Sequence, residues 1–199
     1  MNKKIKDFTK ALTDALGLVK LDIHAVDRIL KNKDTLMNGI IILVLPFLVN
    51  IILFSLSFPS GIGAIFSRFV FWPVIIPGLS IVGLIFFVAY FAKNVYKVKI
   101  EVNSFLGLML YGSLVFWLLL LPVLLHVIGL NGLASLFNKL SLLLFLWYLL
   151  ITYKVLGDHY KMDGQAALIT VGAAGLVYFL LVETLGNLFV GGFYNFFYL

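Results

Sequence analysis

Long apolar runs dominate the pattern of this chain, and five of them approach the roughly 20 residues that a helix needs to cross a bilayer core of about 30 Å. They run from Leu36 to Phe58, Phe69 to Ala92, Ser104 to Leu130, within Leu133 to Leu156, and from Gln165 to Val190. The fourth is the weakest. Its uninterrupted core, Leu140 to Tyr153, lies between Lys139 and Lys154 and would rise only about 21 Å as a helix. Both lysines would then have to reach the headgroups with extended side chains. A re-entrant fourth segment would move the C-terminus to the other side.

The first 35 residues follow a different rule. Ile5, Phe8, Leu12, Leu16, Val19, Ile23, Val26 and Leu30 recur at steps of three and four, which places them on one face of a helix. Lysines and aspartates occupy the remaining positions, and Gly17 is a point where the helix can divide. The pattern predicts an amphipathic helix lying on the membrane surface and attracted to anionic lipid. A docking surface for a cytoplasmic or membrane-bound protein partner is the second reading. Charges at Lys3, Lys4, Lys6, Asp7 and Lys10 exclude a cleavable signal peptide. The division is therefore a cytoplasmic segment, residues 1–35, and a transmembrane domain, residues 36–199. The fold class is an all-α membrane protein: a five-transmembrane-helix bundle with an N-terminal amphipathic cytoplasmic helix.

Charge tests the topology independently. With five spans and the N-terminus in the cytoplasm, the cytoplasmic pieces are 1–35, 93–103 and 154–164. The first holds Lys3, Lys4, Lys6, Lys10, Lys20, Arg28, Lys31 and Lys33. The others hold Lys93, Lys97, Lys99, Lys154 and Lys161. Thirteen of the fifteen basic residues thus fall on one side, and only Arg68 and Lys139 do not. That asymmetry is what the positive-inside rule requires. It implies a multi-pass protein of the cell membrane with its C-terminus outside, where Phe193, Tyr194, Phe196, Phe197 and Tyr198 would form an aromatic anchor. Between the second and third spans, residues 96–102 alternate apolar and charged without a partner strand, so an extended connector or helix extension is expected.

Composition narrows the chemistry. The chain is 62% hydrophobic and 12% charged, far from the balance of a soluble domain. It has no cysteine, which removes disulfides, thiol nucleophiles and cysteine metal sites. Enzyme motifs are missing, and nothing suggests a cofactor, a metal or nucleic acid. His159, Asp158 and Asp163 share one loop but do not make a metal set.

Polar residues inside the spans are the remaining candidates. Glu183 is costly at that depth and therefore a functional candidate, with Thr184 and Asn187 on the following turn. His126 falls at similar depth and could pair with it. Asn50 and Tyr111 are further polar groups within spans. Pro46, Pro77 and Pro122 can each kink a helix. No Gly-x-x-x-Gly motif occurs, although Gly172, Ala173, Ala174 and Gly175 permit close helix approach. No motif specifies an oligomer, and a homo-oligomer is compatible with the sequence.

Two stretches carry a family resemblance. Phe105-Leu106-Gly107-Leu108-Met109-Leu110-Tyr111-Gly112-Ser113-Leu114, followed by Pro122, is similar to the Gly-Tyr-type motif and proline of the YIP family. Gly157-Asp158-His159-Tyr160-Lys161-Met162-Asp163-Gly164-Gln165-Ala166-Ala167 resembles that family's short loop entering the last span. The chain resembles a compact, prokaryotic-type member, with Asn32-Lys33-Asp34-Thr35 where the family's Asp-Pro-type motif is usual. The eukaryotic members interact with Rab/Ypt GTPases. The resemblance implies five spans behind a cytoplasmic N-terminal segment and a non-enzymatic, membrane-organising or partner-binding role. The alternative from the polar residues is a small transporter or channel using Glu183 and His126.

Overall fold

The structure, a computed structural model, describes residues 3–57, 71–138 and 140–189. The expected aromatic tail, Arg68 and Lys139 lie outside the described residues. Among those described, every regular element is helical, and five stretches are long and apolar enough to cross a membrane. The protein is an integral membrane protein of the multi-pass, all-α class.

Two short helices come first, α1 (Lys3–Val19) and α2 (Ile23–Leu30). The first span is α3 (Thr35–Ser57) and the second α4 (Phe71–Asn94). The third is a broken helix. It consists of α5 (Val102–Gly112), a 3-10 segment (Ser113–Leu119) and α6 (Leu120–Val127). After α7 (Asn131–Asn138), the fourth span is α8 (Ser141–Lys154), prolonged by a π-helical turn (Val155–His159). The fifth is α9 (Gly164–Phe189).

The break in the third span follows from its chemistry. Ser113 turns its N–H to the Leu110 carbonyl, three residues back, instead of to Met109. Its hydroxyl donates to the same Leu110 carbonyl at 2.6 Å. The tighter winding leaves the Met109 carbonyl without its helical donor, and the Tyr148 hydroxyl from α8 donates to it at 3.2 Å. Downstream, Pro122 is the third residue of α6, which continues directly from the 3-10 segment.

The fourth span begins later and ends later than the sequence suggests. Residues 131–138 form a separate helix that packs against α6. The π turn carries the spanning stretch from Ser141 to His159, 19 residues. At 1.5 Å per residue this approaches the thickness of the hydrocarbon core. Lys154 pairs with Asp158 at 3.0 Å within that added turn.

Lipid offers no hydrophobic drive between helices, so packing and hydrogen bonds decide the arrangement. The broken third span packs against the first, second and fourth, and α9 packs along α4 and against α8. α3 sits at the edge, with Ile40, Ile41, Val44, Leu48 and Ile52 exposed. It meets α5 at a glycine crossing. A Cβ on Gly39 would stand 2.8 Å from Leu110 Cβ and 2.9 Å from the Gly107 carbonyl oxygen, and one on Gly107 would meet Thr35 Cγ2 at 2.8 Å. The two glycines come from different helices, so no motif within one segment announces them.

Candidate functional site

The starts of α3, α5 and α9 and the ends of α4 and α8 lie at one end of the bundle, and α1 and α2 pack along the bundle from that end to the level of the 3-10 segment and Trp147. The pair folds back onto protein rather than lying on lipid alone. Ala11, Ala15, Leu18, Ala25, Val26 and Ile29 are each no more than 2% exposed. α1 packs against α5, the 3-10 segment, α3 and α8, and α2 against α5 and the π turn. The docked face is displaced from the expected stripe. Leu16, expected on the apolar face, is half exposed, whereas Asp14, expected on the polar one, is buried. The small residues Ala11 and Ala15 let the helix approach closely, and a count of large apolar side chains overlooks them.

Gly17 does not divide the helix. α1 runs through it to Val19, and the turn comes at Leu21, whose φ is 63°. Leu21 N–H donates to Leu18 O and Asp22 N–H to Gly17 O, the crossed pair of bonds that closes a helix end. Gly17 instead lets α2 approach: a Cβ there would stand 2.9 Å from Ala25 Cβ.

Polar contacts lock the hairpin. Arg28 donates to Asp14 at 2.7 Å and to Asp22 at 3.3 Å. The bond to Asp14, then that to Asp22, raises the guanidinium pKa further above its ordinary value. The Asp22 carboxyl is held below its ordinary value, chiefly by the His24 N–H that it caps at 3.0 Å, against a smaller opposing effect of desolvation. Trp147 of α8 donates its indole N–H to Val19 O at 2.9 Å. His159 Nδ1 lies 3.4 Å from Asp27. Arg28 is therefore an internal latch rather than a free charge.

The other expected basic residues divide simply. Lys10, Lys20, Lys31, Lys33, Lys97 and Lys99 are exposed, as are Lys93 and Lys161 at the same end. The side chains of Lys3, Lys4 and Lys6 lie outside the described residues. Residues 95–101 form a non-helical connector that turns at Val95–Lys97. Ile100 is buried and Val98 half-buried while Lys97, Lys99 and Glu101 are exposed, so the alternation reflects one face on the bundle and one in solvent. Tyr160 packs edge-on to Phe105 at 5.7 Å. Burial, with Glu101 nearby, pushes its phenol up to about 12.

The residues of the loop after α8 are engaged separately. His159 faces Asp27, Asp158 faces Lys154, and Asp163 accepts from the N–H groups of Gln165 and Ala166 at the start of α9. No cluster of metal ligands occurs among the described residues.

The intramembrane candidates do not converge. His126 on α6 is exposed and Glu183 on α9 half-exposed. α6 packs against α7, α3 and the 3-10 segment, whereas α9 packs against α4, α8 and the π turn. No ion pair or hydrogen bond joins Glu183 to His126, so the expected pair does not form. Asn187 is exposed. Asn50 Oδ1 is buried without a partner, as is the Tyr111 hydroxyl. These two groups stand on separate helices at different depths.

No family model, no curated protein and no solved structure matches this chain.

Proposed function

We propose that this protein is a non-enzymatic membrane organiser whose lysine-rich end, in the cytoplasm, engages anionic membrane surfaces. One observation carries the reading. The hairpin is held on the bundle by packing and by Trp147 and His159, and Lys10, Lys20, Lys31 and Lys33 remain exposed on it or just after it. Each basic residue near an anionic surface adds about 1 kcal/mol of attraction within a Debye length. A rigidly presented set can hold a second bilayer while five spans stay in the first. The five-span layout behind an N-terminal helical segment is also what the YIP resemblance implies, and that family assignment is part of the proposal. The transporter alternative is the weaker reading, because among the described residues no ion pair or hydrogen bond joins Glu183 to His126.

Vesicle clustering tests the reading. The full chain, reconstituted in zwitterionic vesicles, should cluster added vesicles containing phosphatidylserine, and 0.5 M salt should reverse it. The variant K10E/K20E/K31E/K33E should cluster none. Equal clustering by that variant, or none by the unaltered protein, would reject the proposal.

A further inference from the structure

The end of α4 and the connector after it form a second basic feature, separate from the hairpin. Lys93, Lys97 and Lys99, with Val98, Ile100 and Glu101, line one open concavity of about 510 Å³. The backbone builds it firmly. Lys97 turns the chain at a φ of 58°, and the Val98 N–H then returns to Ala92 O at 3.1 Å. Tyr96 packs edge-on to Phe91 at 5.8 Å, and Phe91 stacks on Phe87 at 5.4 Å.

Charge in the concavity is unbalanced. Glu101 accepts from the Ser104 hydroxyl at 2.8 Å. Among the described residues, no ion pair involves Lys93, Lys97 or Lys99. Three ammonium groups therefore share one small surface with a single carboxylate. Such a cluster repels itself unless an anion with several acceptor oxygens bridges it.

The position says which anion. Leu79, Phe86 and Tyr90 are 51%, 47% and 67% exposed. Their spacing of seven and four residues puts them on one face of α4. Lys93 lies three residues beyond Tyr90 on the last turn of α4, and the connector that carries Lys97 and Lys99 follows directly after Asn94. An apolar strip at acyl-chain depth thus leads to a cationic basin at headgroup depth.

We propose that this basin is a binding site for an anionic phospholipid. Its headgroup phosphate bridges Lys93, Lys97 and Lys99, and one acyl chain lies along Leu79, Phe86 and Tyr90. The site rests on the reading that the lysine-rich end works on anionic lipid, but it uses different residues from the clustering surface.

The test is lipid retention by the full chain in detergent, read by native mass spectrometry. The probes are dioleoyl phosphatidic acid and, as reference, dioleoyl phosphatidylcholine. The unaltered protein should retain phosphatidic acid preferentially. K93Q/K97Q/K99Q should lose that preference, by ~fivefold for each lysine removed. K93R/K97R/K99R, which keeps the charge, should retain it, and K10Q/K20Q/K31Q should leave it unchanged. Equal retention after K93Q/K97Q/K99Q would overturn the site. A loss confined to K10Q/K20Q/K31Q would overturn it too, while leaving the clustering surface intact. Absence of any preference in the unaltered protein would also overturn it, and the clustering assay then decides the broader reading by itself. Full displacement of the lipid by 10 mM inorganic phosphate would overturn the lipid assignment in favour of a free-phosphate site.

Discussion

Trp117 Nε1 donates to the carbonyl of Ile42 at 2.8 Å, across the interface between the third and first spans. Ile42 stands four residues before Pro46, which lies inside α3 and has no N–H to offer it. A side chain of one span thus completes the backbone of another, as an unpaired group in lipid demands. Trp117→Phe should cost about 1 kcal/mol, the usual size of a bond between membrane helices. In a Pro46→Ala background the carbonyl regains its helical donor, so the cost should nearly vanish. Unfolding of the four proteins in detergent by a denaturing surfactant, read as a double-mutant cycle, checks the coupling.

The glycine crossing makes a sharper prediction. Gly39→Ala would place a Cβ against Leu110 and the Gly107 backbone. The helices must move apart, so the expected loss is about 1–3 kcal/mol. Gly172→Ala is the control. A Cβ there meets nothing within 4 Å, and α9 should gain up to about 1 kcal/mol from higher helix propensity. Opposite signs in one unfolding assay would establish the crossing.

The hairpin should loosen in acid. The Asp22 carboxyl is held below its ordinary value. Its contribution is complete above the unfolded pKa and is lost as pH falls through the lower folded value. Amide exchange across residues 3–30 should therefore accelerate on acidification from pH 5 to pH 3, relative to the intrinsic rate. Asp22→Asn should weaken that dependence and show faster exchange already at pH 7. Trp147→Phe should speed exchange at both pH values, because its bond to Val19 does not titrate.

Lys161 holds a left-handed backbone conformation, with a φ of 54°, where the chain leaves the π turn for α9. A β-branched residue is particularly strained there. Lys161→Ile should lower stability by about 1–2 kcal/mol, whereas Lys161→Gly should be neutral or slightly stabilising. Lys161 is exposed, so the contrast reads the backbone rather than a lost contact. Thermal unfolding in one detergent checks it.

Spans were legible in the sequence because a bilayer imposes a length and a composition on each helix. The lysine-rich pieces follow from alternation between the two sides. Interfaces were less legible. Gly39 meets Gly107 through a crossing of two helices, and neither residue signals its partner along the chain. The docked face of α1 is built on Ala11 and Ala15, too small to register in a pattern of large apolar residues. The π turn lengthens the fourth span through Leu156 and Gly157 to the polar Asp158 and His159, where hydropathy fades. Lys93 is an ordinary end-of-span lysine in the sequence, and only the left-handed turn at Lys97 brings it into one basin with Lys99. Glu183 and His126 were matched by depth alone, whereas pairing also requires neighbouring helices.

Side-specific labelling tests the central claim most directly, because the native chain contains no cysteine. Single cysteines replace Lys20 on the hairpin turn, Lys99 in the connector, Asp163 before α9 and Ile128 at the opposite end. Each is probed in intact cells with a membrane-impermeant maleimide, before and after permeabilisation. The expected result is that Lys20→Cys, Lys99→Cys and Asp163→Cys label only after permeabilisation, while Ile128→Cys labels in intact cells. Labelling of Asp163→Cys in intact cells, or of Lys20→Cys and Lys99→Cys from different sides, would contradict a five-span bundle with its hairpin docked on the lysine-rich cytoplasmic end.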